Sequence, residues 1–343
     1  MSKTHIIATL GPSSHSPYMI QKLFDAGVDI FRLNFSHGSK DDHKARVETI
    51  LSLLHTETRK PRILVDLQGP KIRITKTEKD IVYHYEEGEI FHLCPGEEVS
   101  TKNKVFVTYK NLCSEVFLHE KICINDGILT LKVISKEKDC LTVRTEKAGW
   151  LSSHKGVNFP ESSLKTPAIT KKDEEDLAFV LQNFGESIDF IALSFVRNKE
   201  DIVRIQEKIQ KFPHISCISK IEKPEALENF GEILEASDGI MVARGDLGVE
   251  TDLAKLPQYQ KQCVLQAKKA KKFCIVATQM LESMREYAVP TRAEVLDIGN
   301  AVLDSADALM LSAETASGKY PYESVLMMKS IIDATEEYKS SLL

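Results

Sequence analysis

Residues 238–250 read DGIMVARGDLGVE. Ile240, Met241, Val242 and Ala243 make a short apolar run, the pattern of a strand buried on both faces. The chain then changes character. Arg244, Gly245, Asp246 and Gly248 put a cation, a carboxylate and two flexible residues just past the strand. A surface turn needs no such grouping, whereas a site that holds a metal and an anion does.

Seven other runs repeat the pattern: His5–Leu10, Val28–Leu33, Arg62–Leu67, Ile188–Ser194, Ile215–Lys220, Phe273–Thr278 and Ala308–Ser312. With Gly239–Ala243 they make eight strands rich in Ile, Val and Leu. Amphipathic stretches follow most of them, as in Lys172–Phe184, Asn198–Phe212 and Tyr259–Lys272. Eight strand–helix units predict an α/β fold of the (β/α)8 TIM-barrel type. Between residues 71 and 166 the helical period disappears. Short alternating strands replace it, with turn signals such as Asn125-Asp126-Gly127. This predicts a small β-barrel lid domain, residues 71–166, inserted after strand three of a barrel built from 1–70 and 167–343.

The chain has 343 residues, 42% hydrophobic and 28% charged, with a formal net charge of -5. That composition is ordinary for a soluble globular protein and makes no electrostatic case for a nucleic-acid partner. No apolar run reaches transmembrane length, so no membrane association is expected. The N-terminal apolar stretch is too short for a signal peptide. The seven cysteines lie mostly in apolar runs without a CxxC pair. They read as reduced core residues of a cytoplasmic protein.

Active sites of such barrels lie at the C-terminal ends of the strands. Strand two ends in Arg32, Asn34, Ser36 and His37, and strand three in Asp66, followed by Lys71 and Arg73. Strand four ends in Ser194, strand five in Lys220 and Glu222, strand six in Arg244 and Asp246, strand seven in Thr278 and strand eight in Glu314. Single polar residues at strand ends are common. Several cations and several carboxylates converging on one rim suit a divalent metal and a multiply charged anion.

The motifs then point to a family. SKIEKPEAL (219–227), GIMVARGDLGVE (239–250), ATQMLESM (277–284), PTRAE (290–294) and ETASGKYP (314–321) resemble pyruvate kinase. So do ATLGPSS (8–14), RLNFSHG (32–38), LVDLQGPKIR (64–73) and KGVNFP (155–160), in order over nearly the whole chain. The resemblance implies phosphoryl transfer from phosphoenolpyruvate to ADP, giving pyruvate and ATP in glycolysis. It implies Glu222 and Asp246 as ligands of Mg2+, and Lys220 as the cation that stabilises the transferring phosphoryl group and the enolate. Arg32 and Arg73 serve phosphate oxygens, Gly245 and Asp246 cradle the substrate carboxylate, and Thr278 binds substrate and takes part in enolate protonation. Asn34, Phe35, Ser36, His37, Arg73 and Lys155 border the nucleotide. Arg244 reads as structural, ordering neighbouring carboxylates.

Asn34, Ser36, Asp66 and Leu67 match a monovalent-cation site. Potassium-dependent members of the family generally carry Glu where this chain has Lys71. The Lys71 ammonium, balancing Asp66, is therefore expected to make K+ dispensable. The family's usual C-terminal effector domain has no counterpart in these 343 residues, either because the protein lacks it or because the sequence is a piece of a longer one; in the first case a homo-oligomer smaller than the family tetramer and no activation by a sugar bisphosphate are expected. Two rival readings remain at this level: a Mg2+-dependent oxoacid or phosphoenolpyruvate lyase, which needs no ADP site, and a non-enzymatic regulator that kept the barrel as a scaffold.

Overall fold

The eight barrel strands form where the apolar runs lie. We describe a computed structural model of the chain over residues 4–53, 59–162 and 164–341. In chain order the strands are β1 (His5–Thr9), β2 (Ile30–Asn34), β3 (Arg62–Asp66), β4 (Tyr83–Tyr85), β5 (Ile90–Pro95), β6 (Lys104–Val107), β7 (Lys121–Ile124) and β8 (Leu129–Lys136). They continue as β9 (Leu141–Lys147), β10 (Gly149–Leu151), β11 (Val157–Asn158), β12 (Phe190–Leu193), β13 (Ser216–Ile221), β14 (Gly239–Ala243), β15 (Phe273–Ala277) and β16 (Ala308–Leu311). Strands β1–β3 and β12–β16 close into a parallel barrel in the order β1-β16-β15-β14-β13-β12-β3-β2. Its interior is filled by inward side chains, among them Ile7, Leu64, Ile218, Met241, Ile275 and Met310. Ile218 is fully buried, so Ile218→Ala would cost about 2–5 kcal/mol through lost burial and the cavity left behind.

The chain divides into two compact units. The first holds the barrel: 1–69, 168–244 and 255–343. Local sequence sets its helix starts. Ser39 and Asp42, Thr170 and Asp173, and Thr291 and Glu294 each form a reciprocal capping box. Each box satisfies backbone N–H groups that a helix start leaves without partners. Asp173 also accepts from the Gly69 N–H at 3.0 Å. Gly69 has φ +66°, and a Cβ there would lie 2.8 Å from the Ser194 side chain, so only glycine fits. The motif PTRAE is structural in the same sense: Glu294 accepts from both the N–H and the hydroxyl of Ser283.

The second unit spans 70–167 together with 245–254. It contains a six-stranded sheet, β11-β7-β8-β9-β5-β6, and the pair β10-β4. Its core includes Ile74, Tyr85, Leu93, Ile122, Leu131 and Val143. The segment 245–254 reads as barrel in the sequence but is tied here by side chains: Asn158 of β11 donates to Glu250 at 2.7 Å, and Lys71 pairs with Asp246. The cysteine expectation also needs correction. Cys94 and Cys140 are joined as a disulfide, while Cys113, Cys123, Cys217, Cys263 and Cys274 are free thiols. The physical reason is register. β5 and β9 are antiparallel with Leu93 opposite Leu141, which sets Cys94 across from Cys140. No described helix is long and apolar enough to cross a membrane.

Candidate active site

In the barrel unit, four charged residues called from the sequence come together at strand ends. Arg32, on β2, donates from Nε to Asp66 Oδ2 at 2.8 Å and from Nη1 to the Thr9 hydroxyl at 3.0 Å. Lys220, on β13, lies 3.2 Å from Asp66 Oδ1 and 3.1 Å from Glu222 Oε1, and donates to the Ser194 hydroxyl at 2.7 Å. Glu222 Oε2 accepts from the Phe195 N–H at 2.7 Å. Two cations thus face two carboxylates, and all four are buried, Asp66 and Glu222 to within 1%. Burial acts on the Asp66 carboxyl most strongly and would raise its pKa, but Lys220 and Arg32 outweigh it and hold the group below the usual carboxylate range. Such a cluster keeps charges fixed in a dry place, where they act strongly on a developing negative charge.

This arrangement changes the reading of Asp66. Both of its oxygens face cations of the chain itself, so it anchors Arg32 and Lys220. The Leu67 carbonyl accepts from the Ser194 hydroxyl at 2.7 Å. Asn34 accepts from the Ser36 N–H at 3.1 Å, shaping the turn after β2. Sequence spacing gave no hint of what holds that turn: Lys172 donates to the Phe35 carbonyl at 2.7 Å, and His43 stacks on Phe35 with its Nε2 2.9 Å from the His37 carbonyl. Burial pushes the His43 imidazole below its ordinary pKa.

At the end of β15 the hydroxyl of Thr278 donates to the Ala277 carbonyl at 2.6 Å. Thr278 has φ +72° and Gln279 φ +54°, so the chain leaves the strand through two successive left-handed residues. Arg244 meets this turn and is anchored by Asp297 through both carboxylate oxygens, at 2.8 and 2.7 Å.

The remaining candidates lie in the second unit. Lys71 Nζ is 3.1 Å from Asp246 Oδ1 and 3.4 Å from Oδ2. Its partner is therefore Asp246, whereas the sequence had suggested Asp66, which Arg32 and Lys220 neutralise. Gly156 lets the stem of Lys71 lie close, since a Cβ there would be 3.3 Å from the Lys71 Cε. Arg73 donates to the His154 carbonyl at 3.0 Å. Burial lowers its pKa and Asp246 works in the opposite direction. Lys155 Nζ sits 5.0 Å from the centre of the Trp150 ring. Gly245 and Asp246 occupy the first turn of the helix Arg244–Glu250.

Among the described residues no group of three or more His, Cys, Asp or Glu is arranged to hold a metal. Carboxylate oxygens are nevertheless the right chemistry for Mg2+, which often takes only one or two protein carboxylates and completes its shell with water and phosphate oxygens. Glu222 in the first unit and Asp246 in the second each supply a carboxylate of that kind.

Comparison with known proteins gives two findings. The family described as pyruvate kinase, barrel domain, matches residues 1–325. Curated pyruvate kinases of Staphylococcus aureus, from strains USA300 and NCTC 8325, are each 42% identical over an alignment that covers all of this chain and 59% of theirs. The chain therefore spans about three-fifths of the length of those relatives.

Proposed function

The chain belongs to the pyruvate kinase family, and from that premise we propose that it transfers the phosphoryl group of phosphoenolpyruvate to ADP. The bond from phosphorus to the enolate oxygen breaks, and a bond to a terminal ADP oxygen forms. The enolate then takes a proton on its methylene carbon, giving pyruvate. The observation that carries this reading is Lys220: a buried ammonium at a strand end, held by Asp66, Ser194 and Glu222.

In this reading Lys220 stabilises negative charge on the transferring group and on the enolate oxygen, the main service a protein gives to phosphoryl transfer. Asp66 and Ser194 keep the ammonium in place. Arg32 and Arg73 bind phosphate oxygens through planar forks. The N–H groups of Gly245 and Asp246 receive the substrate carboxylate, and Thr278 orders the proton donor for the enolate. Asn34, Phe35, Ser36, His37 and Lys155 border the ADP phosphates. Glu222 and Asp246 are the proposed ligands of Mg2+, which supplies charge neutralisation between the phosphates when bound. Lys71 is proposed to replace K+, and the second unit to serve as the lid.

The test is an assay coupled to lactate dehydrogenase, with phosphoenolpyruvate, Mg2+ and ADP. Pyruvate should form only when ADP is present. Pyruvate release without ADP would favour a lyase or phosphatase, and no release at all would favour a scaffold.

A further inference from the structure

We propose that Arg244 is a positioning residue: its guanidinium, aimed by Asp297, holds the left-handed turn that presents Thr278 at the end of β15. This rests on Thr278 being the substrate group proposed above.

A β-branched residue seldom adopts positive φ, because its side chain crowds the backbone there. Thr278 does so at φ +72°, and Gln279 follows at φ +54°. Two such residues in a row persist only where their surroundings over-determine them. Arg244 supplies that constraint. Its Nε lies 3.3 Å from the Ala277 carbonyl and 3.2 Å from that of Thr278. Its Nη2 lies 2.7 Å from the Thr278 carbonyl, 3.3 Å from that of Gln279 and 2.9 Å from the Met280 sulfur.

In an extended strand successive carbonyls point to opposite sides. Three consecutive carbonyls can face one cation only if the chain has left the strand conformation. The turn and the guanidinium thus require each other. Without the cation, three carbonyl dipoles converge on a buried place and lose the charged donor they share, for Arg244 is only 9% exposed. Lysine cannot take over, since it has one nitrogen and no planar fork.

The guanidinium is itself oriented. Nη1 reaches both oxygens of Asp297 and lies 3.3 Å from Gln260 Oε1. Asp297 belongs to the helix Arg292–Leu303, whose start is fixed by the Thr291–Glu294 capping box. The line from capping box to Asp297 to Arg244 to the Thr278 carbonyl is continuous.

The experiment is a double-mutant cycle in the full chain, with Thr278→Ala, Arg244→Lys, Asp297→Asn and the doubles that contain Thr278→Ala. Two rates are read: coupled phosphoryl transfer, and exchange of the pyruvate methyl protons with deuterated solvent, which isolates the proton step. Thr278→Ala and Arg244→Lys should each slow exchange by about ten- to a hundredfold, with KM for phosphoenolpyruvate changed far less than kcat. Arg244→Lys added to Thr278→Ala should cost little more than Thr278→Ala alone, because both remove the same placed hydroxyl. Asp297→Asn should lie between wild type and Arg244→Lys, and it carries the cycle if Arg244→Lys does not fold. Multiplicative losses in the double variant, with Thr278→Ala itself impaired, would overturn the positioning role and leave the Thr278 assignment standing. Wild-type exchange in Thr278→Ala would overturn both.

Discussion

If Lys71 stands in for K+ as proposed, Lys71→Glu is expected to create a K+ requirement that the wild type lacks. In the structure the Lys71 ammonium lies 3.1 Å from Asp246 Oδ1, with the two side chains 25% and 20% exposed. Unit charges about 4 Å apart at an effective dielectric of about 20 attract by about 4 kcal/mol. Contact with water at both partners cuts the net value to about 1–2 kcal/mol. A carboxylate in place of the ammonium converts that attraction into a repulsion of similar size, so the swing is about 2–4 kcal/mol. At 1.4 kcal/mol per factor of ten, this is about 30- to 1000-fold. Lys71→Glu should therefore lose about that much kcat/KM for phosphoenolpyruvate when tetramethylammonium is the only monovalent cation, and regain most of it when K+ is added. Wild type should give a nearly flat response in the same titration. The assay is the coupled reaction at saturating Mg2+, with ionic strength held constant. Strong K+ activation of the wild type, or a Lys71→Glu enzyme fully active without K+, would refute the reasoning.

Lys220→Met keeps most of the stem and removes the charge. Turnover should drop by about 100- to 1000-fold or more, and a rate near wild type in a folded variant would remove Lys220 from the chemistry. Glu222→Gln should raise the Mg2+ concentration for half-maximal rate at least about tenfold, and Asp246→Asn should do worse because it also disturbs the proposed carboxylate cradle; unchanged metal titrations in both would exclude the pair as ligands. Asp66→Asn should destabilise the fold by about 3 kcal/mol near neutral pH, because it leaves Arg32 and Lys220 without their shared carboxylate. The folded pKa of Asp66 lies below its unfolded value of about 3.9, so its stabilisation is complete above that value and is lost as pH falls through the folded pKa. Urea unfolding from pH 7 to pH 3 should show the gap between wild type and Asp66→Asn closing on acidification; a constant gap would mean that Asp66 does not act through its charge.

The barrel was legible because buried parallel strands leave unbroken apolar runs. The reading of β14 matched Gly239–Ala243 at both ends, while Phe273–Thr278 ran one residue too far, because Thr278 turns left-handed and no side chain announces a positive φ in threonine. The residues of the site stand at strand ends, where chain position alone exposes them. Their pairing was not legible. Lys71 and Asp246 are 175 positions apart, and Arg32, Asp66 and Lys220 meet only when β2, β3, β12 and β13 lie side by side. Asp297 escaped notice for a similar reason: a carboxylate in mid-helix looks like any solvated one until Arg244 is seen against it. The Cys94–Cys140 bond depends on strand register, which spacing does not set.

The order of strands also bears on how the molecule is made. β1 hydrogen-bonds to β2 on one side and to β16 on the other, with His5 opposite Ala308. On the ribosome the first strand emerges some three hundred residues before its second neighbour exists. Until then the growing sheet keeps two open edges, the kind of surface that recruits stray strands from other chains. Within the second unit, by contrast, β7, β8 and β9 pair in antiparallel succession between residues close in sequence. Those three strands can acquire order during synthesis, whereas the ring waits for its last member. Contact order of this kind slows folding, so a pause or a holding chaperone late in translation would protect this chain more than one placed early.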